Sequence, residues 1–180
     1  PVYYCTGFVV PKQGGGRRFV VDMRPLNKIV KRTAFDLPLL ENQLLAVGRS
    51  RCFATFDVLS GFDMLKVTKN AEQYFNVMTD LGCFTMCGAP QGFVNTPGVY
   101  SERLVQEVLL PAGLFCTAGT GICQWLDDSL LYSDNFDNFL LGLERFLDSV
   151  IAVGVRLSVS KCTFFAERVT WCGRSVGEEG

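Results

Sequence analysis

Three aspartates stand at the ends of two apolar segments in this chain of 180 residues. Asp57 closes the segment 53–56, and Asp127 and Asp128 follow the segment 122–126. If both segments are neighbouring strands of one sheet, the carboxylates lie close together and need a cation or a proton. Two Mg²⁺ ions about 3.5–4 Å apart, bridged by aspartates, form the arrangement used for in-line phosphoryl transfer. The spacing leaves open a second interpretation, in which Asp127 and Asp128 belong to a solvated hairpin turn.

The chain contains no histidine, which limits the chemistry it can perform. Histidine is the usual general base near neutral pH, so its absence excludes Ser-His-Asp triads and His-based metal sites. Catalysis must use carboxylates, Lys, Cys, Tyr or a metal ion. The eight cysteines form no Cys-x-x-Cys pair and have apolar neighbours, which predicts buried, reduced thiols and a reducing compartment.

Charge is unevenly distributed, although 17 Lys and Arg against 18 Asp and Glu leave a formal net charge of −1. Residues 1–51 carry nine basic and three acidic residues, a balance of +6, and the remaining residues carry −7. A basic segment is typical of a surface that binds nucleic acid or phosphate. Apolar residues make up 48% of the chain, which excludes a disordered protein.

Hydrophobic periodicity and turn residues predict an α+β chain, with an antiparallel sheet backed by two helices and close to the split βαβ arrangement. A hairpin with a glycine tip at 14–16 is predicted near the start of the chain. Helices are predicted at 37–47, 95–111 and 135–153. Strands are predicted at 53–58, 64–67, 75–79, 83–87, 122–126, 129–133, 156–159, 162–165 and 169–176.

Three further residues have side chains suited to a nucleotide, and each has a structural alternative. Arg18 follows the glycine tip and can contact a triphosphate, or it can lie on a solvated edge strand. Phe62 follows Asp57 by five residues and can stand beside a metal site, or it can belong to the core. Gln91 lies in a predicted turn and can contact a base or ribose, or it can belong to a plain loop.

Six segments, in order along the chain, resemble the reverse transcriptase domain of LTR retrotransposons and retroviruses, and most of all that of the gypsy-type elements. They are 18–27 (RFVVDMRPLN), 56–62 (FDVLSGF), 90–97 (PQGFVNTP), 125–128 (WLDD), 157–165 (LSVSKCTFF) and 169–173 (VTWCG). The corresponding family patterns are R-x-L-N, D-L-x-S-G-Y, P-x-G-L-x-N-A-P, Y-x-D-D, L-N-x-x-K-C-x-F-F and F-L-G. The resemblance implies an RNA-directed DNA polymerase that adds deoxynucleotides to a primer 3′ end.

The resemblance also assigns catalytic and metal-binding roles. Asp57, Asp127 and Asp128, with the carbonyl of Val58, are implied to hold two Mg²⁺ ions, with Mn²⁺ as an alternative. One ion would activate the primer 3′-hydroxyl and the other would neutralise the pyrophosphate. Lys161 is implied to lie near the phosphates and to protonate the pyrophosphate.

Nucleotide and primer contacts follow from the same resemblance. Arg18, with Lys12, would hold the incoming triphosphate. Phe62 would exclude a 2′-hydroxyl, and Gln91 would line the nucleotide pocket. The residues implied to steady the primer end are Trp125, Trp171, Cys172 and Gly173.

The resemblance further implies right-hand polymerase fingers and palm, the palm having a ferredoxin-like split βαβ fold. The fingers are expected at about 1–52 and 68–90, and the palm at about 53–67 and 91–180. The thumb, connection and RNase H regions are expected to be absent, and the chain to be part of a polyprotein that also contains an integrase. Expected partners are an RNA or DNA template with its primer and deoxynucleoside triphosphates, with no membrane. The expected location is intracellular (cytoplasm, virus-like particle or nucleus), not secreted.

One departure from the family pattern supports a rival hypothesis. Trp125 replaces the tyrosine of the Y-x-D-D motif, and it lies where the primer end is expected. The rival is a domesticated or degenerate palm that binds nucleic acid without catalysis. A third hypothesis is another palm-type enzyme, such as an RNA-dependent RNA polymerase or a nucleotide cyclase.

Overall fold

The structure is a computed structural model that describes residues 3–12, 15–35 and 39–178. It divides into two compact units, each with its own sheet. The first unit comprises Pro1–Ala34 and Phe62–Pro97, and the second comprises Phe35–Gly61 and Gly98–Gly180. The predicted α+β class, with antiparallel strands and helices, is confirmed. In the described ranges, every helix is too short or too polar to cross a membrane.

The described residues form ten strands and five α-helices. In chain order they are β1 (Tyr4–Pro11), β2 (Arg17–Val21), α1 (Arg24–Asn27), α2 (Leu40–Val47), β3 (Cys52–Asp57), α3 (Lys69–Glu72), β4 (Asn76–Thr79), β5 (Gly82–Thr85), α4 (Thr96–Leu104), β6 (Thr120–Trp125), β7 (Asp128–Ser133), α5 (Phe136–Val153), β8 (Thr163–Ala166), β9 (Arg168–Trp171) and β10 (Arg174–Gly177). Two 3₁₀ turns, Gly61–Met64 and Val159–Lys161, and a π-helical segment, Val105–Leu109, complete the list.

The first unit contains a four-stranded sheet in the order β2-β1-β4-β5. The predicted hairpin near the start of the chain is confirmed, because β1 pairs with β2 in antiparallel register from Gly7–Val21 to Pro11–Arg17. Of the predicted glycine tip, Gly15 has a φ of 97°, whereas Gly14 lies outside the described residues. The unit has a small hydrophobic core, which consists of Cys5, Val21, Met23, Leu26 and Val77.

The second unit contains a four-stranded antiparallel sheet in the order β6-β7-β3-β8, and both of its faces are covered. On one face α5 packs against β3, β6 and β7, and the rings of Phe56 and Phe146 lie 4.4 Å apart between centroids. On the other face lie α2 and the β9–β10 hairpin, which contribute Val47 and Trp171 to the core around Phe53. Because side chains alternate along a strand, this double burial makes β3 almost continuously apolar.

Three predicted strands are wrong in detail. The segment 64–67 begins in a 3₁₀ turn and contributes only an isolated bridge, between Lys66 and Gly88. The segment 156–159 likewise contributes one bridge, from Leu157 to Val58, before it enters a 3₁₀ turn. In both, backbone hydrogen bonds flank a single bridge, and the pairing is too short to form a strand. The segment 169–176 is not one strand but the hairpin β9–β10.

The other predicted elements are found, with boundaries shifted by a few residues. The helix predicted at 37–47 is α2, and Leu37 lies outside the described residues. The helix predicted at 95–111 is α4 followed by the π-helical segment. The helix predicted at 135–153 is α5, which Asn135 caps by accepting hydrogen bonds from the backbone N–H groups of Asp137 (2.8 Å) and Asn138 (3.1 Å). Gly154 ends it in the left-handed conformation.

Replacing Asn135 with Ala removes this cap and leaves two N–H groups without their acceptor. We expect a loss of about 1 kcal/mol in the free energy of unfolding, measured by urea titration. Asn138→Ala is the matched control, because the exposed Asn138 contributes its backbone to the cap and not its side chain. An equal loss in both variants would contradict the capping role.

Candidate active site

The register of the second sheet brings the three aspartates together. Asp57, the last residue of β3, lies directly opposite Asp128, the first residue of β7. Directly opposed residues on one face have Cβ atoms about 4.5–5.5 Å apart. Asp127 occupies the two-residue turn between β6 and β7, next to Asp128. All three carboxylates therefore stand at one end of the sheet.

Negative charge is concentrated at this end, and neighbouring groups respond to it. Burial, Asp127 and Asp57, in that order, raise the pKa of the Asp128 carboxyl, while Lys161 opposes the shift. Burial raises the pKa of the Tyr100 hydroxyl, and the charges of Asp127 and Asp57 raise it further. A cation at this position would relieve the repulsion among the carboxylates.

A lysine ammonium already faces one of the carboxylates. Lys161 Nζ lies 3.2 Å from Asp57 Oδ2 and 3.4 Å from Asp57 Oδ1. Lys161 ends the 3₁₀ turn, which is held to β3 because the N–H of Ser158 donates to the Asp57 carbonyl at 2.9 Å. The Lys161 side chain is 66% exposed, so this ion pair contributes little to stability. Its significance is chemical, because it places a positive charge and a proton beside the carboxylates.

The turn that carries Asp127 has a strained backbone. Trp125 pairs with Asp128 across it, and Leu126 has a φ of 55°, a region that costs a residue with a Cβ about 1–2 kcal/mol. The side chain of Gln124 supports the turn by donating from Nε2 to the Leu126 carbonyl at 2.7 Å. Strain of this kind is common at functional sites and persists only where surrounding groups hold it.

A cleft of about 160 Å³ opens beside these residues. It is lined by Thr55, Phe56, Asp57, Asp128, Ser129, Lys161, Thr170, Trp171 and Cys172. Cys172 and Gly173 form the β9–β10 turn, with φ values of 49° and 75° that fit a type I′ hairpin. Burial, then Asp128 and Asp127, raise the pKa of the Cys172 thiol to about 11, with Arg174 opposing. The cleft thus joins the carboxylates to the hairpin implied to steady a primer.

The two tryptophans of the implied primer site differ in environment. Trp171 is buried in the core, and its indole Nε1 has no hydrogen-bond partner among the described residues. Trp125 is half-buried at the end of β6 and packs against the same core. Trp125 is therefore held by apolar contacts with the core of the second unit.

The donor chemistry of this site fits a divalent metal, because carboxylate oxygens are the ligands that Mg²⁺ prefers. The carboxylates of Asp57 and Asp128 converge, and the ammonium of Lys161 stands beside them as a cation. Nevertheless, no group of three or more Asp, Glu, Cys or His side chains within the described ranges has the geometry of a preformed metal site. Val58 is buried and forms a bridge with Leu157.

The predicted nucleotide-binding residues belong to the first unit, whereas the carboxylates and Lys161 belong to the second. Arg18 is exposed on β2, where it pairs with Val10, and Lys12 is exposed just after β1. Phe62 is half-buried in a 3₁₀ turn, and Gln91 is exposed in the turn before α4. Their roles toward a nucleotide remain predictions.

Sequence analysis missed three residues around the site. Gln43 and Gln124 are buried, and the side-chain amide of Gln43 forms hydrogen bonds with the backbone of Gln124. Tyr100 is also buried, near Asp57 and Asp127. The signal for Gln43 was available, since it is a polar residue within the apolar stripe of α2. For Tyr100 the signal is indirect: its ring lies 2.7 Å from where a Cβ on Gly61 would stand, which explains the glycine there.

Comparison with protein families gives one match over nearly the whole chain. The model of the family described as reverse transcriptase (RNA-dependent DNA polymerase) matches residues 10–176. The transposon Tf2-3 polyprotein of Schizosaccharomyces pombe is 26% identical over 176 residues, which cover 98% of this chain and 13% of that protein. The retrovirus-related Pol polyprotein from transposon gypsy of Drosophila melanogaster is 23% identical over 184 residues, covering 99% and 17%. The chain spans less than a fifth of either relative's length.

Solved structures show a similar fold. The foamy viral protease-reverse transcriptase in complex with an RNA/DNA hybrid superimposes with a TM-score of 0.85 at 23% identity, covering 98% of this chain and 23% of that one. A structure of the same viral protein with double-stranded DNA gives a TM-score of 0.83 at 23% identity, covering 98% and 30%.

The positive φ of Leu126 predicts that a glycine substitution here is less destabilising than an alanine substitution, the reverse of the usual order. Leu126→Gly and Leu126→Ala both remove the side chain, but only glycine adopts a positive φ without cost. We expect the Gly variant to be more stable than the Ala variant by roughly 1 kcal/mol in urea unfolding. An Ala variant as stable as the Gly variant would show that the turn is not strained.

Proposed function

Because the chain belongs to the reverse transcriptase (RNA-dependent DNA polymerase) family, we propose that it performs RNA-directed DNA synthesis at the aspartate cluster. The observation that carries the proposal is the opposition of Asp57 and Asp128 across β3 and β7, with Asp127 in the adjoining turn. In-line phosphoryl transfer by the two-metal mechanism uses such a cluster of carboxylates to hold the ions. In this proposal the fingers comprise about 1–52 and 68–90, and the palm about 53–67 and 91–180.

Asp57, Asp127 and Asp128, with the carbonyl of Val58, would hold two Mg²⁺ ions, for which Mn²⁺ can substitute. When bound, such ions lower the pKa of an attacking hydroxyl and neutralise the charge of the leaving group. The convergence of like charges that raises the pKa of the Asp128 carboxyl supports this, because it favours a cation there.

The reaction joins a primer to a deoxynucleotide. The primer 3′-hydroxyl loses its proton to solvent water and its oxygen forms a bond to the α-phosphorus of the triphosphate, while the bond from that phosphorus to the pyrophosphate oxygen breaks. Lys161, whose Nζ lies 3.2 Å from Asp57 Oδ2, would give a proton to the departing pyrophosphate. Asp57 orients that ammonium until the triphosphate arrives.

The proposed nucleotide contacts all lie in the first unit. Lys12 and Arg18 would hold the triphosphate, Gln91 would line the nucleotide pocket, and Phe62 would exclude a 2′-hydroxyl. The first unit has nine basic and four acidic residues, a balance that suits phosphate binding.

The proposal also covers the binding of the primer and the template and the place of the chain in a polyprotein. Trp171 and Cys172, which line the cleft, would steady the primer end together with Gly173 of the same hairpin and Trp125. The template would be RNA or DNA, as the foamy viral complexes with RNA/DNA hybrid and double-stranded DNA suggest by analogy. The chain would work as part of a longer polyprotein, like the transposon relatives.

A primer-extension assay with deoxynucleotides and Mg²⁺ tests the function. Asp127→Asn should lower incorporation by at least about a hundredfold, since it removes one metal-binding carboxylate while preserving shape. Asp134→Asn is the matched control, because this exposed aspartate follows β7 outside the cleft and should leave incorporation unchanged. Equal incorporation by wild type and Asp127→Asn would refute the assignment.

The proposed steric role of Phe62 gives a separate test. Phe62→Val removes the ring that would contact a 2′-hydroxyl, so we expect ribonucleotide incorporation to rise at least about tenfold relative to deoxynucleotides. The ratio of kcat/KM for the two substrates measures this. Phe84→Val, at an exposed position on β5 of the same unit, should leave the ratio unchanged. A wild-type protein that already accepts ribonucleotides would instead favour an RNA polymerase.

Trp125 favours a second candidate function, a palm that binds nucleic acid without catalysis. Its bulk replaces the tyrosine of the family motif beside the primer position. This candidate predicts duplex binding that depends on salt but not on Mg²⁺, with no incorporation in the primer-extension assay.

A further inference from the structure

The strand that leads to Asp127 lies at the edge of its sheet, with β7 on one side and, among the described residues, only an isolated bridge from Phe115 to Ile122 on the other. Trp125 and Asp128 are the pair that closes the hairpin. Hydrogen-bonding directions alternate along an antiparallel strand, so the neighbouring Gln124 directs its backbone N–H and C=O away from β7. Gln124 is 1% exposed, so water cannot satisfy these two groups.

The side chain of Gln43, on α2, takes the place of the missing strand. Its Oε1 accepts a hydrogen bond from the Gln124 N–H at 2.7 Å, and its Nε2 donates to the Gln124 carbonyl at 2.8 Å. Gln43 is itself 1% exposed, and its backbone carbonyl accepts a hydrogen bond from the Cys123 thiol at 3.2 Å. A primary amide offers one donor and one acceptor side by side, which matches what an edge residue needs.

The side chain of Gln124 continues the connection into the strained turn. Its Nε2 donates to the Leu126 carbonyl at 2.7 Å, which fixes the peptide that joins Leu126 to Asp127. Its Oε1 is buried and has no hydrogen-bond partner in the described part of the chain, so the contact with Leu126 is the hydrogen bond that orients this amide. A continuous series of hydrogen bonds therefore runs from α2 through Gln43 and Gln124 to the residue before Asp127.

We propose that Gln43 and Gln124 are positioning residues that hold the Leu126–Asp127 turn, and with it the Asp127 carboxylate, in place next to Asp128, the residue opposite Asp57. For its effect on metal binding, the inference rests on the function proposed above. A backbone at positive φ relaxes toward other conformations unless neighbouring groups prevent it. Groups that orient a metal ligand typically change metal affinity by about 10–100-fold when they are removed.

Two variants of the full 180-residue chain remove successive parts of this series. Gln124→Met keeps the backbone bonds to Gln43 and loses only the donor to Leu126. Gln43→Met keeps the shape of the side chain and leaves the Gln124 backbone groups unpaired. Leu44→Ala is the control for general destabilisation, because Leu44 packs from α2 against the core without contacting Gln124 through a hydrogen bond.

Two measurements follow the turn and the metal separately. Amide hydrogen exchange at Leu126 and Asp127, in metal-free protein, reports the turn itself. Titration with Mn²⁺, followed by electron paramagnetic resonance, reports the affinity of the site. We expect both Met variants to speed exchange at the turn and to weaken Mn²⁺ binding by about tenfold or more. Leu44→Ala should lower the unfolding temperature and leave both quantities within about twofold of wild type.

The outcomes separate this inference from the proposed function. The positioning role is overturned if amide exchange at the turn is unchanged in both Met variants. It is also overturned if exchange in Leu44→Ala is as fast as in the Met variants. Either conclusion holds whatever the Mn²⁺ titration shows. Faster exchange with unchanged Mn²⁺ affinity overturns the link to the metal site. Wild-type protein that binds Mn²⁺ no better than Asp127→Asn refutes the proposed function, while exchange still decides the role of the two glutamines.

Discussion

The antiparallel register of β3 with β7 is the constraint on which the candidate site depends. It sets Asp57 opposite Asp128, and a slip of one residue would send one carboxylate to the other face of the sheet. Burial on both faces holds this register, because a slip would also exchange the residues packed under α5 with those packed against α2. Phe56 on one face and Phe53 on the other fix β3 in this way. The core therefore determines where the charges meet.

The electrostatic repulsion among the three carboxylates accounts for the charged groups found around them. Three like charges at one sheet end repel each other, and the ammonium of Lys161 partly offsets the repulsion. The second unit as a whole has eight basic and fourteen acidic residues, so it attracts cations. The first unit is basic and attracts phosphates. A polymerase needs both kinds of surface, since its metal ions and its nucleotides carry opposite charges.

Much of the chain could be predicted from the sequence alone, and the errors have physical causes. The long helix α5 was found because its apolar periodicity and its caps, Asn135 and Gly154, are local signals. The strand predicted at 64–67 was wrong because a 3₁₀ turn includes Met64 and the backbone pairing that follows is limited to one bridge, which an apolar run alone does not reveal. The predicted strand 169–176 is a hairpin, since Gly173 allows a tight turn that periodicity does not reveal.

By itself the sequence determined the fold class, the family resemblance and the three aspartates, because motif order and hydrophobic spacing are properties of the chain in one dimension. Only the tertiary structure decided which groups meet these aspartates. Lys161 lies 104 positions from Asp57, and Gln43 lies 81 positions from Gln124, yet each pair forms hydrogen bonds. Such contacts depend on sheet order, on register and on the position of β6 at the edge of its sheet. Those features arise from the packing of the whole unit, and no local pattern specifies them.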